Sequence, residues 1–363
     1  MVNKDNFCVI MAGGIGSRFW PMSRTSYPKQ FHDILGTGNT LIQQTFERFL
    51  HLCPKENIYI VTNDQYRELV KEQLDGISYE QILCEPSRRN TAPCVAYANE
   101  KIRAKNPNAR MIVAPSDHLV LKEQAFINTI ETALNQAQTS GNLVTLGIKP
   151  SRPDTGYGYI QFTDADQAVS DDVRKVKTFT EKPNLDLAKE FIKSGDFYWN
   201  SGIFIWTLES ISEAYRQHLP EVNELFEEGA AELNSDKEEE KIAEIYSVCE
   251  SVSLDYGIME KANNVDVVLS DFGWSDLGTW GSLFTHVKKD TDHNAIVGKN
   301  VMLYDSKDNM INVPENKLVV IQGLEDYILV DTNDVLLLCP KEEEQRIKQF
   351  VNDIKTGKNA DFA

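Results

Sequence analysis

Four stretches of the chain set glycines, cations or carboxylates where a chain turns, and each could handle phosphate. In Val9-Ile10-Met11-Ala12-Gly13-Gly14-Ile15-Gly16-Ser17-Arg18 an apolar run empties into a loop with three glycines. Glycines there let backbone N–H groups face an anion without steric cost. No Gly-Lys-Ser/Thr follows, so this is not a P-loop, and Phe19 stands where the dinucleotide fingerprint needs its third glycine. Arg18, Arg24 and Lys29 follow as a basic island stiffened by Pro21 and Pro28. Cations held in place neutralise phosphate charge without reorganising.

The carboxylates lie elsewhere. Val113-Ala114-Pro115-Ser116-Asp117-His118 ends an apolar strand on Asp117, and Gly273-Trp274-Ser275-Asp276-Leu277-Gly278 presents Asp276, with Asp271 a nearby competitor. Alone, either Asp reads first as a turn or cap residue. Together they suit Mg2+, which takes a few carboxylates and leaves room for phosphate oxygens and water. His118 reads as structural rather than as a ligand.

A fourth stretch, Glu85-Pro86-Ser87-Arg88-Arg89-Asn90-Thr91-Ala92-Pro93, runs into a predicted helix. Asn90 or Thr91 makes a good N-cap, and free N–H groups at a helix start favour anions or polar base edges. Three shorter strings, 154–159, 179–183 and 198–203, contain Gly158, Glu181, Lys182 and Asn200. Each alone reads as a bulge or a turn.

These residues need a scaffold. Strands are predicted at Phe7–Met11, Asn57–Thr62, Gln81–Cys84, Arg110–Ala114 and Leu143–Gly147, and helices at Leu41–Leu52, Gln65–Leu74, Ala92–Ala104 and Glu123–Thr139. This βαβα rhythm predicts a mostly parallel sheet with helices on both faces and ligands at the carboxyl ends of its strands. Mixed strands follow at Gly158–Phe162, Arg174–Thr180, Ile203–Trp206 and Val265–Leu269. Beyond about residue 290 come short strands (Val301–Tyr304, Met310–Val313, Leu318–Gln322, Tyr327–Asp331, Val335–Cys339) and a helix near Lys341–Lys355. The expected division is 1–288 and a small β domain, 289–363.

Bulk properties bound the function. With 41% hydrophobic and 25% charged residues, the 363-residue chain reads as a soluble globular protein. Its net charge of −18 argues against nucleic acid as a partner, and a nucleotide would need the local basic island plus a divalent cation. No apolar run is long enough to span a membrane, so no membrane partner is expected. Six cysteines without a CxxC pair, and no export signal, predict reduced thiols in the cytoplasm.

The string from Ala12 to Phe31 closely resembles the signature loop of the sugar-nucleotide pyrophosphorylases. Pro28-Lys29-Gln30-Phe31 and Arg89-Asn90-Thr91-Ala92-Pro93 resemble its mannose-1-phosphate guanylyltransferase branch. The resemblance covers roughly residues 5–285 and extends weakly beyond. It implies a Rossmann-like (GT-A-like) α/β nucleotidyltransferase domain with a mixed sheet, followed by a left-handed parallel β-helix, and a homodimer. It also implies GTP and mannose 1-phosphate as substrates and Mg2+ on Asp117 and Asp276. Ala12, Gly13, Gly14, Gly16, Arg88, Asn90 and Thr91 would then contact the nucleotide, and Arg18 and Lys29 its triphosphate. Gly158 and Asn200 would contact the hexose, Glu181 its hydroxyls, and Lys182 its phosphate. Ser253–Lys261 also matches a family segment but is left outside the site. Some relatives carry a further isomerase domain, and this chain is expected to be monofunctional. The alternatives are the same chemistry with other substrates, such as dTTP and glucose 1-phosphate, or a non-catalytic regulatory paralogue.

Overall fold

The computed structural model describes residues 2–163, 169–170 and 172–363. Its contacts group into two compact units that do not follow the chain linearly. The first comprises residues 1–13, 45–116 and 120–274; the second comprises 14–44, 117–119 and 275–363.

The first unit is built on nine strands: β1 (Asn6–Met11), β2 (Ile58–Asn63), β3 (Ile82–Glu85), β4 (Arg110–Pro115), β5 (Leu143–Ile148), β6 (Gly158–Phe162), β7 (Val173–Glu181), β8 (Phe197–Thr207) and β9 (Val265–Ser270). Their order across the sheet is β3-β2-β1-β4-β8-β5-β9-β7-β6. β1 is buried from Asn6 to Ile10 and pairs in parallel with β2 and β4, which puts the loop after Met11 at a carboxyl edge. The sheet is mixed. Parallel pairing holds across β3-β2-β1-β4 and between β5 and β9, while β8 runs antiparallel to β4, β5 and β6. Apolar periodicity sets a strand's faces, not its direction, so β8 could not be oriented from sequence.

β8 is also longer than expected. The Asn-Ser-Gly read as a turn lies inside it, at a register shift against β5 where Gly202 adopts φ +70°. The glycine tolerates that backbone and lets the strand continue through the irregularity. On one face, helix α1 (Thr91–Lys105) buries Ala92, Val95, Ala98 and Ile102 into a core shared with Val9, Val113 and Trp206.

The second unit holds the glycine loop from Gly14 onward and the C-terminal strands β10 (Ala295–Val297), β11 (Val301–Tyr304), β12 (Met310–Asn312), β13 (Val319–Gln322), β14 (Tyr327–Asp331) and β15 (Leu336–Pro340). β10, β12 and β14 stack in parallel, as do β11 and β13, and β15 closes the first stack antiparallel. A buried asparagine ladder ties the turns: Asn309 Nδ2 donates to Asn294 Oδ1 at 2.9 Å and to Leu324 O at 2.7 Å. The buried Asn294 and Asn309 amides are thereby satisfied within the stack. The unit's core joins Phe19, Trp20, Leu277 and Trp280 to Met310, Ile328 and to Ile347 and Val351 of helix α2 (Ile347–Thr356).

Candidate active site

In the second unit, the loop after Gly13 is shaped around one lysine. Gly16 has φ +72°, and a Cβ there would lie 2.5 Å from Lys29 Cβ, so both the backbone and the space require glycine. Lys29 opens a short 3-10 turn and is 3% exposed. Its Nζ donates to Asp276 O at 2.8 Å and Leu277 O at 2.9 Å, and pairs with Asp117 Oδ2 at 2.7 Å. Every proton of the ammonium has an acceptor, which is what burying this charge demands. Burial pushes the Asp117 carboxyl up, but Lys29 and then His118 outweigh it and hold it below its usual value.

Gly16, Arg18, Lys29, Asp117 and Asp276 all border one cavity of about 280 Å³, with His118 on its wall. Asp276 Oδ1 accepts from Gly278 N at 3.0 Å. Among the described residues no group of three or more His, Cys, Asp or Glu is arranged to hold a metal. Two carboxylates facing a cavity with room for phosphate fit Mg2+ in kind, since that ion takes few protein ligands and keeps substrate and water oxygens. Arg24 departs from the expected island. Its guanidinium grips Asp334 at 2.6 and 2.7 Å and Nε donates to Pro21 O, so its charge is spent within the unit. Asp271 pairs with Lys122 at 3.0 Å instead of lining the cavity.

In the first unit, the segment after β3 returns to the loop end of β1. Arg88 Nε donates to Gly13 O at 3.1 Å and NH2 to Tyr66 Oη at 2.9 Å. Thr62 Oγ1 donates to Ala12 O at 2.9 Å, fixing the strand's last carbonyl. Asn90 is the residue before α1, at φ 70°, and its side chain makes no cap bond. Thr91 Oγ1 instead accepts from Leu254 N at 2.9 Å, a structural tie. Glu85 was not singled out by the sequence. It is buried, accepts from Tyr246 Oη at 2.7 Å, and is the one atom source within 4 Å of where a Gly13 Cβ would point. Burial pushes its pKa up to about 7.

The remaining predicted residues converge in the first unit where β6 pairs with both β7 and β8. Gly158 is paired with Glu181, and Glu181 contacts Lys182 Nζ. Thr145 Oγ1 donates to Asn200 Oδ1 at 3.0 Å, which turns Asn200 Nδ2 toward Asp255 Oδ1 at 2.8 Å. Asp255 opens a π-helical turn, Asp255–Met259, inside the segment left outside the site. Burial, then Glu181, pushes its pKa up to about 6, offset by Lys182 and Asn200. Burial works against the Lys182 ammonium, yet Glu181 and Asp255 hold its pKa above the ordinary value. Three charged groups and an amide thus meet, a set suited to hydroxyls and a phosphate. An Asp opening a helix carried no signal of this role.

Comparison with known proteins shows the family. Residues 7–293 match the model of the nucleotidyl transferase family, and residues 298–354 match that of the MannoseP isomerase/GMP-like β-helix domain. A mannose-1-phosphate guanylyltransferase from Escherichia coli is 36% identical over 95% of this chain and 75% of its own length. The solved mannose-1-phosphate geranyltransferase from Thermus thermophilus superposes with a TM-score of 0.86 at 30% identity, covering 97% of this chain and 99% of that one. A mannose-6-phosphate isomerase structure from Helicobacter pylori covers 74% of this chain and 99% of that one, with a TM-score of 0.60 and 28% identity. The chain belongs to the nucleotidyl transferase family and carries that family's α/β domain followed by a β-helix domain.

Proposed function

We propose that this protein transfers GMP from GTP to α-D-mannose 1-phosphate, giving GDP-mannose and pyrophosphate. The observation that carries this reading is Lys29, a buried cation fixed between Asp117 and two carbonyls beside a glycine loop. Relatives with the guanylyltransferase name support GTP and mannose 1-phosphate over dTTP and glucose 1-phosphate.

In this reading Ala12, Gly13, Gly14 and Gly16 line the nucleotide, Arg88, Asn90 and Thr91 meet its base side, and Arg18 and Lys29 take the triphosphate. Gly158 and Asn200 contact the hexose, Glu181 accepts from its hydroxyls, and Lys182 pairs with its phosphate. Asp117 and Asp276 would hold Mg2+, which when bound supplies positive charge to the phosphates. A phosphate oxygen of mannose 1-phosphate attacks the α-phosphorus, the new P–O bond forms, and the bond to the β-phosphate breaks. The nucleophile is already anionic, so no general base is needed. Orientation then contributes roughly 7–11 kcal/mol in favourable cases. The division into a catalytic domain, 1–288, and a β-helix-like domain, 289–363, belongs to the same reading. So do a homodimer and a cytoplasmic location, the latter supported by six free cysteines.

The test is pyrophosphate release across a grid of nucleoside triphosphates and hexose 1-phosphates with and without Mg2+, with mannose 6-phosphate isomerisation as a control. GTP with mannose 1-phosphate should be the preferred pair. A clear preference for another pair, or isomerisation alone, would overturn the assignment. Asp117→Asn should lose at least about a hundredfold in kcat, as removal of a preorganised charge does, and should also lower Tm, because the buried Lys29 ammonium loses its counter-charge.

A further inference from the structure

The cavity beside Lys29 has a wall that the glycine loop does not supply. Lys348, the second residue of α2, lines it together with Arg18 and Lys29. The lysine lies within the stretch matched by the β-helix domain, far along the chain from every motif above.

Its placement is not that of a loose surface side chain. Ile347 and Val351, one helical face of α2, are 0% and 4% exposed in the core that also buries Phe19 and Trp20. Residues three and four apart share that face, so burying them fixes where Lys348 points. Two polar ties pin the flanks: Gly281 N donates to Glu344 Oε2 at 2.7 Å, and Trp20 Nε1 donates to Phe362 O at 2.7 Å. The same short turn that buries Phe19, Ser17–Phe19, carries Arg18. Helix and turn therefore hold two exposed cations over one cavity.

The charge balance says what that cavity takes. Lys29 is paired with Asp117, and Asp276 adds a second carboxylate to the same lining, so these three groups together offer a polyanion no net positive charge. Arg18 and Lys348 are the two further cations of that lining and give it its positive balance toward a polyanion, in a chain whose overall charge of −18 repels one. We propose that Lys348 binds the departing pyrophosphate, so that the C-terminal segment completes the phosphate site. This rests on the nucleotidyl-transfer reading for the ligand's role, though not for its binding.

The experiment uses the full-length protein. Binding of inorganic pyrophosphate in Mg2+ is measured by calorimetry for wild type, Lys348→Gln and Lys348→Arg, alongside mannose 1-phosphate binding and Tm. Kinetics in both directions give KM for pyrophosphate and GTP. A lost charge-assisted hydrogen bond should weaken pyrophosphate about tenfold in Lys348→Gln. Lys348→Arg should recover most of the loss, with mannose 1-phosphate affinity and Tm unchanged. Pyrophosphate affinity within twofold of wild type, or an equal loss for mannose 1-phosphate, would overturn the proposal. A wild type that binds pyrophosphate through Lys348 yet transfers no nucleotide would remove the proposed function and leave this site standing. Turnover of GTP that ignores Lys348 would do the reverse.

Discussion

Two glycines act here by what they leave empty. A methyl at Gly16 would enter the volume of Lys29 Cβ and force a left-handed backbone on a side-chain-bearing residue. Gly16→Ala should cost about 1–3 kcal/mol of stability, and kcat should fall because the lysine is displaced from Asp117. Denaturant unfolding beside steady-state rates checks both. A Cβ on Gly158 would overlap Glu181 Oε2 and press on Asn200 Cβ at 3.3 Å. Gly158→Ala should therefore raise KM for the sugar phosphate while leaving KM for the nucleotide near wild type. An equal change in both would show that Glu181 does not serve the sugar. Both motifs were legible as strings of residues. Which neighbour each glycine makes room for was not, because that neighbour arrives from another element.

At the scale of elements, the π-helical turn at Asp255 is the informative case. It carries a carboxyl into buried contact with Asn200 and next to Glu181. Below about pH 3.8 the carboxyl is protonated in both folded and unfolded chains. Between there and about 6 the unfolded chain ionises and the buried group does not, so stability falls as pH rises and levels off above 6. The loss for this group is on the order of 2–3 kcal/mol. Asp255→Asn keeps the acceptor for Asn200 and should gain most in stability over wild type at pH 7.5, with the difference vanishing by pH 3.5. Urea midpoints at four pH values decide it; a constant difference would mean the group titrates normally. Hydrophobic alternation made most strands of both units readable to within one or two residues. It did not give the direction of β8 or the π turn, which depend on partners across the sheet.

At the scale of the whole molecule, the C-terminus is part of a core. Removing residues 341–363 would expose the site occupied by Ile347 and Val351 and break the ties from Gly281 and Trp20. Two buried aliphatic side chains are worth roughly 3–6 kcal/mol. The truncated protein should therefore melt well below the full chain and bind pyrophosphate poorly. Differential scanning calorimetry would show a lower or lost transition for the second unit, and an unchanged Tm would mean α2 is dispensable to that core.

Read alone, the sequence marks this chain as one that handles phosphate. The glycine loop, the cations after it, the strand-end Asp117 and Asp276 between its tryptophan and glycine are local features, and local chemistry and spacing carry them. It also determined the alternation of strands and helices, because apolar period is written along the chain. Which cations face the cavity was decided only in three dimensions. Arg24, adjacent in sequence to the loop, is consumed by Asp334, while Lys348, remote in sequence, lines the cavity. Asp255 and Glu85 likewise acquired their environments from burial and from partners brought by other elements. The physical reason is common to all four. A side chain's charge, protonation and direction depend on what surrounds it, and folding brings those surroundings from distant parts of the chain.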